Sequence, residues 1–369
     1  MKIFVLTSRY TATRDIIGED FGRQTRLFSS LKKLGNEIDF FVADYRKLEN
    51  KELKLNGINV KIRAFSIIRF FRFLSEINRS LKAKKYDFLV SSSDPLWGII
   101  GLIFARRRKI IFVYDLHDNY ETYATYKLPF FRYIDNYVLR KADIITTVSF
   151  TLKDKIKPIR SKDVFVMQNG VDLKLFRPMN MHISRKKLKL PKDAKIIGYA
   201  GSIQRLQGLN LLIGVFKEIK KQNKNLKLAV AGRFVKGEEK HIDLKQEGVI
   251  YLGSLPQDKI ACFINACDVL AVPNPSNDFT KYCFPYKIVE YLACNKPVVA
   301  TDIGDVGIFL KNHKELLCNE NDRKSMKDAL ERQLNSKVKA NYRDIALRNS
   351  WDKIAALFGK IMRKKIEKN

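Results

Sequence analysis

Short apolar runs rich in β-branched residues alternate with amphipathic segments along the whole chain, and the alternation completes two separate series. In the first, Lys2 to Thr7, Glu37 to Val42, Phe88 to Ser92, Ile110 to Tyr114, Ile144 to Val148 and Val164 to Gln168 read as strands, with helices at Arg23 to Leu34 and Ser66 to Lys82. In the second, the strands are Lys195 to Ala200, Leu226 to Ala231, Val249 to Leu252, Val269 to Val272 and Pro297 to Thr301. Helices are expected there at Leu209 to Lys221, Asp258 to Ala266 and Pro285 to Ala293. Strands that alternate with helices build parallel sheets covered on both faces. The sequence therefore predicts an α/β protein of two doubly wound, Rossmann-like domains facing across a cleft, with ligands at the carboxyl edges of the sheets. The domains are expected at 1–178 and 179–350. The stretch Phe176 to Pro191, rich in Arg, Lys and Pro, reads as a linker, and 351–369 as a basic amphipathic helix packing back towards the N-terminal domain.

Charge narrows the partners without choosing one. There are 70 Lys and Arg against 39 Asp and Glu, a formal net charge of +31, and the excess is shared evenly between the two halves. Such a chain favours anions in general: nucleic acid, acidic lipid or phosphorylated small molecules. No helix-turn-helix, zinc or RNP-like motif supports nucleic acid. The apolar stretch Leu96 to Phe104 is far short of the roughly 20 residues that cross a bilayer, and no cleavable small-residue site follows the first strand, so a cytoplasmic protein is expected. The five cysteines lie between Cys262 and Cys318 with no CxxC pair, and only four histidines are present. This pattern predicts reduced core thiols and no metal site.

Four constellations have the residue types that bind or react. Gly198-Tyr-Ala-Gly201-Ser202-Ile-Gln-Arg205-Leu-Gln207-Gly208 follows the first strand of the second domain and opens a helix. It is either an anion cradle, with Arg205 as a positive partner, or a turn that needs glycine for steric reasons alone. Phe284-Pro285-Tyr-Lys287-Ile-Val-Glu290 places a cation and a carboxylate three residues apart at a helix start, suited to a phosphate and a ribose diol, or else to a surface ion pair. Tyr114-Asp115-Leu-His117-Asp118 puts the one histidine of the four that sits at a strand's carboxyl edge, either as a functional group or as a structural ring bonded to Asp118. Gly18-Glu-Asp-Phe-Gly22-Arg23 opens the first helix and offers backbone amides to a second anion.

A fifth feature is a surface. Ile67, Phe70, Phe71, Leu74, Ile77 and Leu81 recur at helical spacing among Arg69, Arg72, Arg79 and Lys82. An apolar face rimmed by cations fits an anionic membrane, while core packing explains the apolar stripe equally well. The C-terminal helix, with Lys360, Arg363, Lys364 and Lys365, offers a second contact.

Taken in order, His117-Asp118, Ala142 to Ser149, Gln168-Asn-Gly-Val-Asp172, the Gly201 to Gly208 turn, Tyr251-Leu-Gly253, Ala266 to Pro273 and Pro285 to Glu290 resemble one family. It is the nucleotide-sugar-dependent retaining glycosyltransferases of the GT-B fold, family 4, also called group 1. The resemblance covers nearly the whole chain. It implies a catalytic set of His117, Arg205, Lys287 and Glu290. Gly201, Ser202, Arg205, Gln207, Gly253, Phe284, Pro285, Lys287 and Glu290 would bind the donor, with Glu290 on the ribose. Gly22, Arg23 and Asp118 would lie on the acceptor or phosphate side, and His117 would contact the transferred sugar. It also implies a nucleotide-sugar co-substrate with no other cofactor and no metal, in keeping with the lack of a DxD element. The acceptor would be lipid-linked or a growing saccharide, met at the cytoplasmic membrane face. Two positions depart from the family: Gln207 stands where many members have Lys, and Tyr282 where members with paired glutamates have the first Glu.

Other classes fit less well. A nucleotide-sugar epimerase of related shape would need more acid/base groups than this sequence offers at the cleft. A non-enzymatic nucleic-acid or anionic-surface binder would be marked by tight, salt-sensitive binding to random oligonucleotide. A silent scaffold would neither hydrolyse nor transfer a donor.

Overall fold

A computed structural model describes residues 1–11, 14–336 and 341–368. The chain divides into two compact units, Met1–Gln168 with Trp351–Asn369, and Asn169–Ser350.

In the first unit eight strands form one sheet in the order Val164–Val166, Ile144–Thr147, Ile111–Leu116, Phe88–Ser92, Lys2–Ser8, Glu37–Asp44, Ile58–Ala64, Lys51–Leu55. All neighbours are parallel except the last pair. That pair is a hairpin, absent from the sequence reading, turned by Asn56-Gly57 with φ of 50° and 79°, the backbone that a two-residue hairpin loop requires. The central strand is buried on both faces, as expected where helices cover both sides. On one of those faces Phe73 meets Phe41 and Trp97 at 5.2 and 5.6 Å between ring centroids.

The helix Phe70–Ala83 divides the apolar stripe seen in sequence. Phe73, Ile77 and Leu81 face the core, whereas Ile67, Ile68 and Phe71 are 94, 97 and 82% exposed. Ile77 and Leu81 thus leave the candidate membrane face, and Ile68 joins it; Arg69, Arg72, Arg79 and Lys82 are exposed.

The C-terminal helix, Trp351–Ile366, returns to the first unit and packs on Arg23–Lys33. Phe358 meets Phe28 at 6.3 Å, Ser30 donates to Asp352 at 2.8 Å, and Lys365 lies 3.4 Å from Asp163.

The second unit has six parallel strands in the order Val249–Tyr251, Leu226–Ala231, Lys195–Ala200, Val269–Val272, Val298–Thr301, Leu317–Cys318. Its boundary corrects the expected division at 178. The side chain of Asn169 donates to the Phe284 carbonyl at 2.7 Å, Arg343 to those of Leu173 and Phe176, and Asn265 to that of Arg177 at 3.0 Å. Residues 169–178 are therefore stitched to the second unit.

The linker reading of Phe176 to Pro191 is corrected too. Met181–Leu188 is a helix packed on Gln257–Ala266. Its Arg185 is buried, with donors on the Ala266 carbonyl at 2.9 Å and on Asp268 at 2.7 Å. No two of the five cysteines are joined, and Cys262, Cys267, Cys294 and Cys318 are buried.

Candidate functional site

Each unit gathers candidate residues at the carboxyl edge of its own sheet. In the second unit the strand Lys195–Ala200 ends in Gly201. Backbone crowding explains the glycines here. A Cβ on Gly232 would overlap the Gly201 carbonyl, and one on Gly208 would overlap the Pro273 carbonyl. Gly208 also has φ 76° and starts the helix Leu209–Gln222, a conformation glycine adopts without steric cost.

The helix Tyr286–Ala293 is fastened to the same strand end, because the Tyr291 hydroxyl accepts from Ala200 N at 2.7 Å and donates to Ala200 O at 3.1 Å. Pro285 lies just before this helix as its N-cap. Phe284 is buried against Phe309.

That fastening brings Lys287 over the glycine turn. Its Nζ donates to Gln207 Oε1 at 2.8 Å, sits 4.5 Å from the Tyr199 ring centroid, and is 3.5 Å from where a Cβ on Gly201 would be. Lys287 is 8% exposed. Burial pushes its ammonium down to about 7, against the opposing pull of Cys283 and Glu290. Glu290 is half-buried one turn further along the helix.

Arg205 falls elsewhere. It is more than half exposed and pairs with Glu238, its Nε 3.3 Å from Oε2. The cation held over Gly201 is thus Lys287 and not Arg205. Gln207, read as a departure from the family, is the residue that anchors it. Ser202 is exposed and its carbonyl accepts from Tyr199 at 2.8 Å. Gly253 has φ 67°, with its carbonyl engaged by Gly232 N at 2.8 Å.

In the first unit His117 follows the strand Ile111–Leu116. Its Nδ1 lies 3.1 Å from Ser92 Oγ and 2.9 Å from Tyr120 OH, and its Nε2 3.4 Å from Tyr123 OH. Tyr123 also donates to Asp118 at 3.3 Å, so ring and carboxylate share one hydroxyl. Burial lowers the imidazole to about 4, Asp115 opposing and Arg23 assisting. Burial raises Asp118 to about 6 against donors from Asn119 N and Tyr123. The ring is therefore neutral at physiological pH, suited to hydrogen bonding and not to supplying charge. In an NMR titration it is expected to protonate near pH 4 and not near 6.5. Because the folded value is depressed, its contribution to stability is present above the unfolded value and is lost as pH falls through that window.

Arg23 is corrected. Its side chain is 0% exposed and pairs with Asp115 at 3.0 Å; it also donates to the Met167 carbonyl. Asp115 accepts further from Thr146 at 2.6 Å and Ser92 at 3.2 Å. The Arg23 side chain, expected on the acceptor or phosphate side, is thus a buried strut. Gly22, with φ 95°, precedes the helix Arg23–Lys33 as its N-cap.

The sequence reading missed Tyr199, Tyr291, Ser92 and Tyr120, which orient the site residues. Two of them stand next to residues it did quote, one residue after Gly198 and one after Glu290. Among the described residues no group of three His, Cys, Asp or Glu is placed to hold a metal ion, and no helix is long and apolar enough to cross a membrane.

Residues 180–356 match the family described as glycosyl transferases group 1, and residues 25–175 match glycosyltransferase family 4. The chain belongs to the group 1 glycosyltransferases. It is 24% identical over 345 residues to an uncharacterised glycosyltransferase of Methanocaldococcus jannaschii, covering 88% of this chain and 89% of that one. It is 26% identical over 266 residues to the capsular polysaccharide biosynthesis glycosyltransferase CapM of Staphylococcus aureus, covering 68% of each.

Among solved structures, sucrose-phosphate synthase from Thermosynechococcus elongatus superposes with a TM-score of 0.78 at 18% identity over all of both chains. Anabaena HepE in complex with UDP gives 0.76 at 18% identity, covering 99% of this chain and all of that one. The fold of this group 1 glycosyltransferase is GT-B.

Proposed function

We propose that this glycosyltransferase takes a sugar from a nucleoside diphosphate donor and transfers it, with retention of configuration, to a lipid-linked or growing saccharide acceptor in polysaccharide or glycolipid biosynthesis. The observation that carries the reading is the Lys287 ammonium held by Gln207 directly over the Gly201 turn. Backbone that approaches closely at a glycine, beside a desolvated cation, is a seat for a diphosphate. Similarity to a capsular polysaccharide enzyme and the fold of a UDP-binding neighbour support the donor and product class.

In this reading Lys287 neutralises the departing diphosphate, Glu290 accepts from the ribose hydroxyls, and neutral His117 hydrogen-bonds the transferred sugar. Gly22 and Asp118 lie on the acceptor side. The acceptor hydroxyl attacks the anomeric carbon on the face the diphosphate leaves; the C–O bond to phosphate breaks and the hydroxyl proton passes to a diphosphate oxygen. No metal or further cofactor is required, because the departing charge is met by Lys287 and by backbone N–H groups. Arg205 serves the donor only by exchanging Glu238 for phosphate. The enzyme works at the cytoplasmic membrane face, touching anionic lipid through Arg69 and Arg72 beside Ile67, Ile68 and Phe71.

Thermal unfolding with a panel of UDP-, GDP- and ADP-sugars tests the donor. A ligand at 100 times its Kd adds about 2.7 kcal/mol to the folded state, and one sugar nucleotide is expected to raise the melting temperature. No response to any of them sinks the reading. Glu290→Gln should raise the Kd of that nucleotide about tenfold, the cost of weakening hydrogen bonds to a charged group.

A further inference from the structure

The first unit exposes a second cluster of large apolar side chains, distinct from Ile67, Ile68 and Phe71. Leu128, Phe130, Tyr133 and Tyr137 are 54, 70, 75 and 51% exposed. They span the residues just before the helix Phe131–Lys141 and its first turns. Phe130 has φ 71°, the left-handed region, where a bulky side chain is strained. A phenylalanine that is both strained and left in water gains nothing within this fold.

Most charges around the cluster are basic, and Glu121, near enough to act on Asp135 and Tyr126, is paired with Lys155 at 2.7 Å. Lys127, Arg132, Arg140 and Lys141 are exposed, and the single acidic residue among them, Asp135, is buried and bonded to Tyr114 and Tyr126 at 2.7 Å each. The first cluster has the same character, because Glu76 is bound by Arg63 and Arg72.

The two clusters share one edge of the sheet. In a parallel β/α sheet each segment leaving a strand and entering a helix lies at the carboxyl edge. Ile67 to Phe71 leave the strand Ile58–Ala64, and Leu128 to Tyr133 follow the strand Ile111–Leu116 by way of His117. Packing links these helices in turn: Phe73 touches Trp97 in the helix Pro95–Arg108, and that helix packs on Phe131–Lys141.

We propose that Leu128, Phe130 and Tyr133 form a second membrane seat, which together with Ile67, Ile68 and Phe71 docks the carboxyl edge of the first sheet onto an anionic bilayer. Aromatic and aliphatic tips enter the headgroup boundary while the interleaved Arg and Lys meet lipid phosphate. Two seats fix the edge against the surface where one allows it to pivot, and a lipid-linked acceptor then reaches His117 by diffusing in the membrane plane. The inference extends the membrane contact proposed above and is independent of the donor assignment.

The test is co-sedimentation of the full chain with vesicles of phosphatidylcholine alone and of equimolar phosphatidylcholine and phosphatidylglycerol. Binding is expected to the anionic vesicles and to be about tenfold weaker to the neutral ones. Phe130→Ser with Tyr133→Ser should lose about tenfold in vesicle binding, and Ile68→Ser with Phe71→Ser a similar factor, each with an unchanged melting temperature. Emission from Tyr133→Trp should shift to the blue when anionic vesicles are added.

Full binding by the Phe130/Tyr133 variant, with loss confined to the Ile68/Phe71 variant, overturns the second seat and leaves the first. No vesicle binding by the wild type, with the sugar-nucleotide response intact, overturns both seats and spares the donor reading. A concentration-dependent dimer abolished by Phe130→Ser also overturns it, assigning the face to a second copy of the chain.

Discussion

Lys287→Met is expected to abolish detectable sugar transfer while leaving the protein folded. Hydrogen bonds to a charged group contribute about 1.5–3 kcal/mol each, so the nucleoside diphosphate should bind roughly 10- to 100-fold more weakly. The proton count makes the result specific. Burial holds the free ammonium at about 7, and a diphosphate placed beside it stabilises the charged form. Binding therefore takes up a proton in mildly alkaline solution, and affinity falls as pH rises above that value. Titration calorimetry in buffers of different ionisation heat should show this uptake in the wild type and not in the methionine variant.

Folding responds in the opposite sense. The folded value of Lys287 lies below the usual lysine value of 10.5. Stability from this group therefore rises with pH between the two, and at neutral pH the buried amine is a cost. The methionine variant should thus melt no lower than wild type, so that lost binding is not lost fold. Gln207→Met, which removes the anchor and keeps the amine, should fall between the two in affinity. Unchanged affinity for the nucleoside diphosphate in Lys287→Met would remove this residue from the proposed donor site.

Arg23→Met is expected to destabilise the first unit by about 3–5 kcal/mol, the cost of leaving one member of a buried ion pair alone. Burial drives the Asp115 carboxyl up, but Arg23 and the Thr146 hydroxyl outweigh it and hold it below its usual value. That contribution is present above the unfolded value near 3.8 and is lost as pH falls through the folded one. In the variant the sign reverses, since an unpaired buried carboxylate prefers its proton, and mild acid should then spare the protein. Urea unfolding followed by tryptophan emission reports the first unit, which holds both tryptophans, Trp97 and Trp351. A second change, Asp115→Leu, should recover most of the loss, because replacing both partners by apolar groups is close to neutral. Equal midpoints for wild type and Arg23→Met would show that the pair contributes nothing.

The strand–helix order, and with it the fold, was legible because buried parallel strands are continuous apolar runs. The glycine turn was legible for a related reason: Gly201 and Gly208 stand between a strand and a helix. What stayed hidden depended on polar groups buried in pairs. Arg23 and Arg185 look in sequence like solvated cations. Their partners, Asp115 and Asp268, are 92 and 83 positions away, so no local periodicity reports that the four charges are interior.

The same blindness made a linker of a packed helix and hid that Arg23, read on the acceptor or phosphate side, is a buried strut. Arg205 misled in the reverse direction. Its place in the glycine turn suggested a ligand, while the charge over the turn comes from Lys287, 80 residues on, by way of Gln207. The stripe on Phe70–Ala83 was ambiguous for a simpler reason: one helical repeat served both the core and the surface, and only packing separates Ile77 from Phe71.

The return of Trp351–Ile366 to the first unit has a bearing on biosynthesis. Val171 N donates to the Asn349 carbonyl at 2.9 Å, so the chain departs from the early portion and comes back to it at neighbouring points. The helix Trp351–Ile366 covers Phe28 and Leu31, far earlier in the sequence. A nascent chain emerging from the ribosome can complete the later portion while the earlier one still lacks its closing piece. Truncation after Ser350 would therefore damage the unit translated first, leaving an apolar groove on Arg23–Lys33 for chaperones to shield.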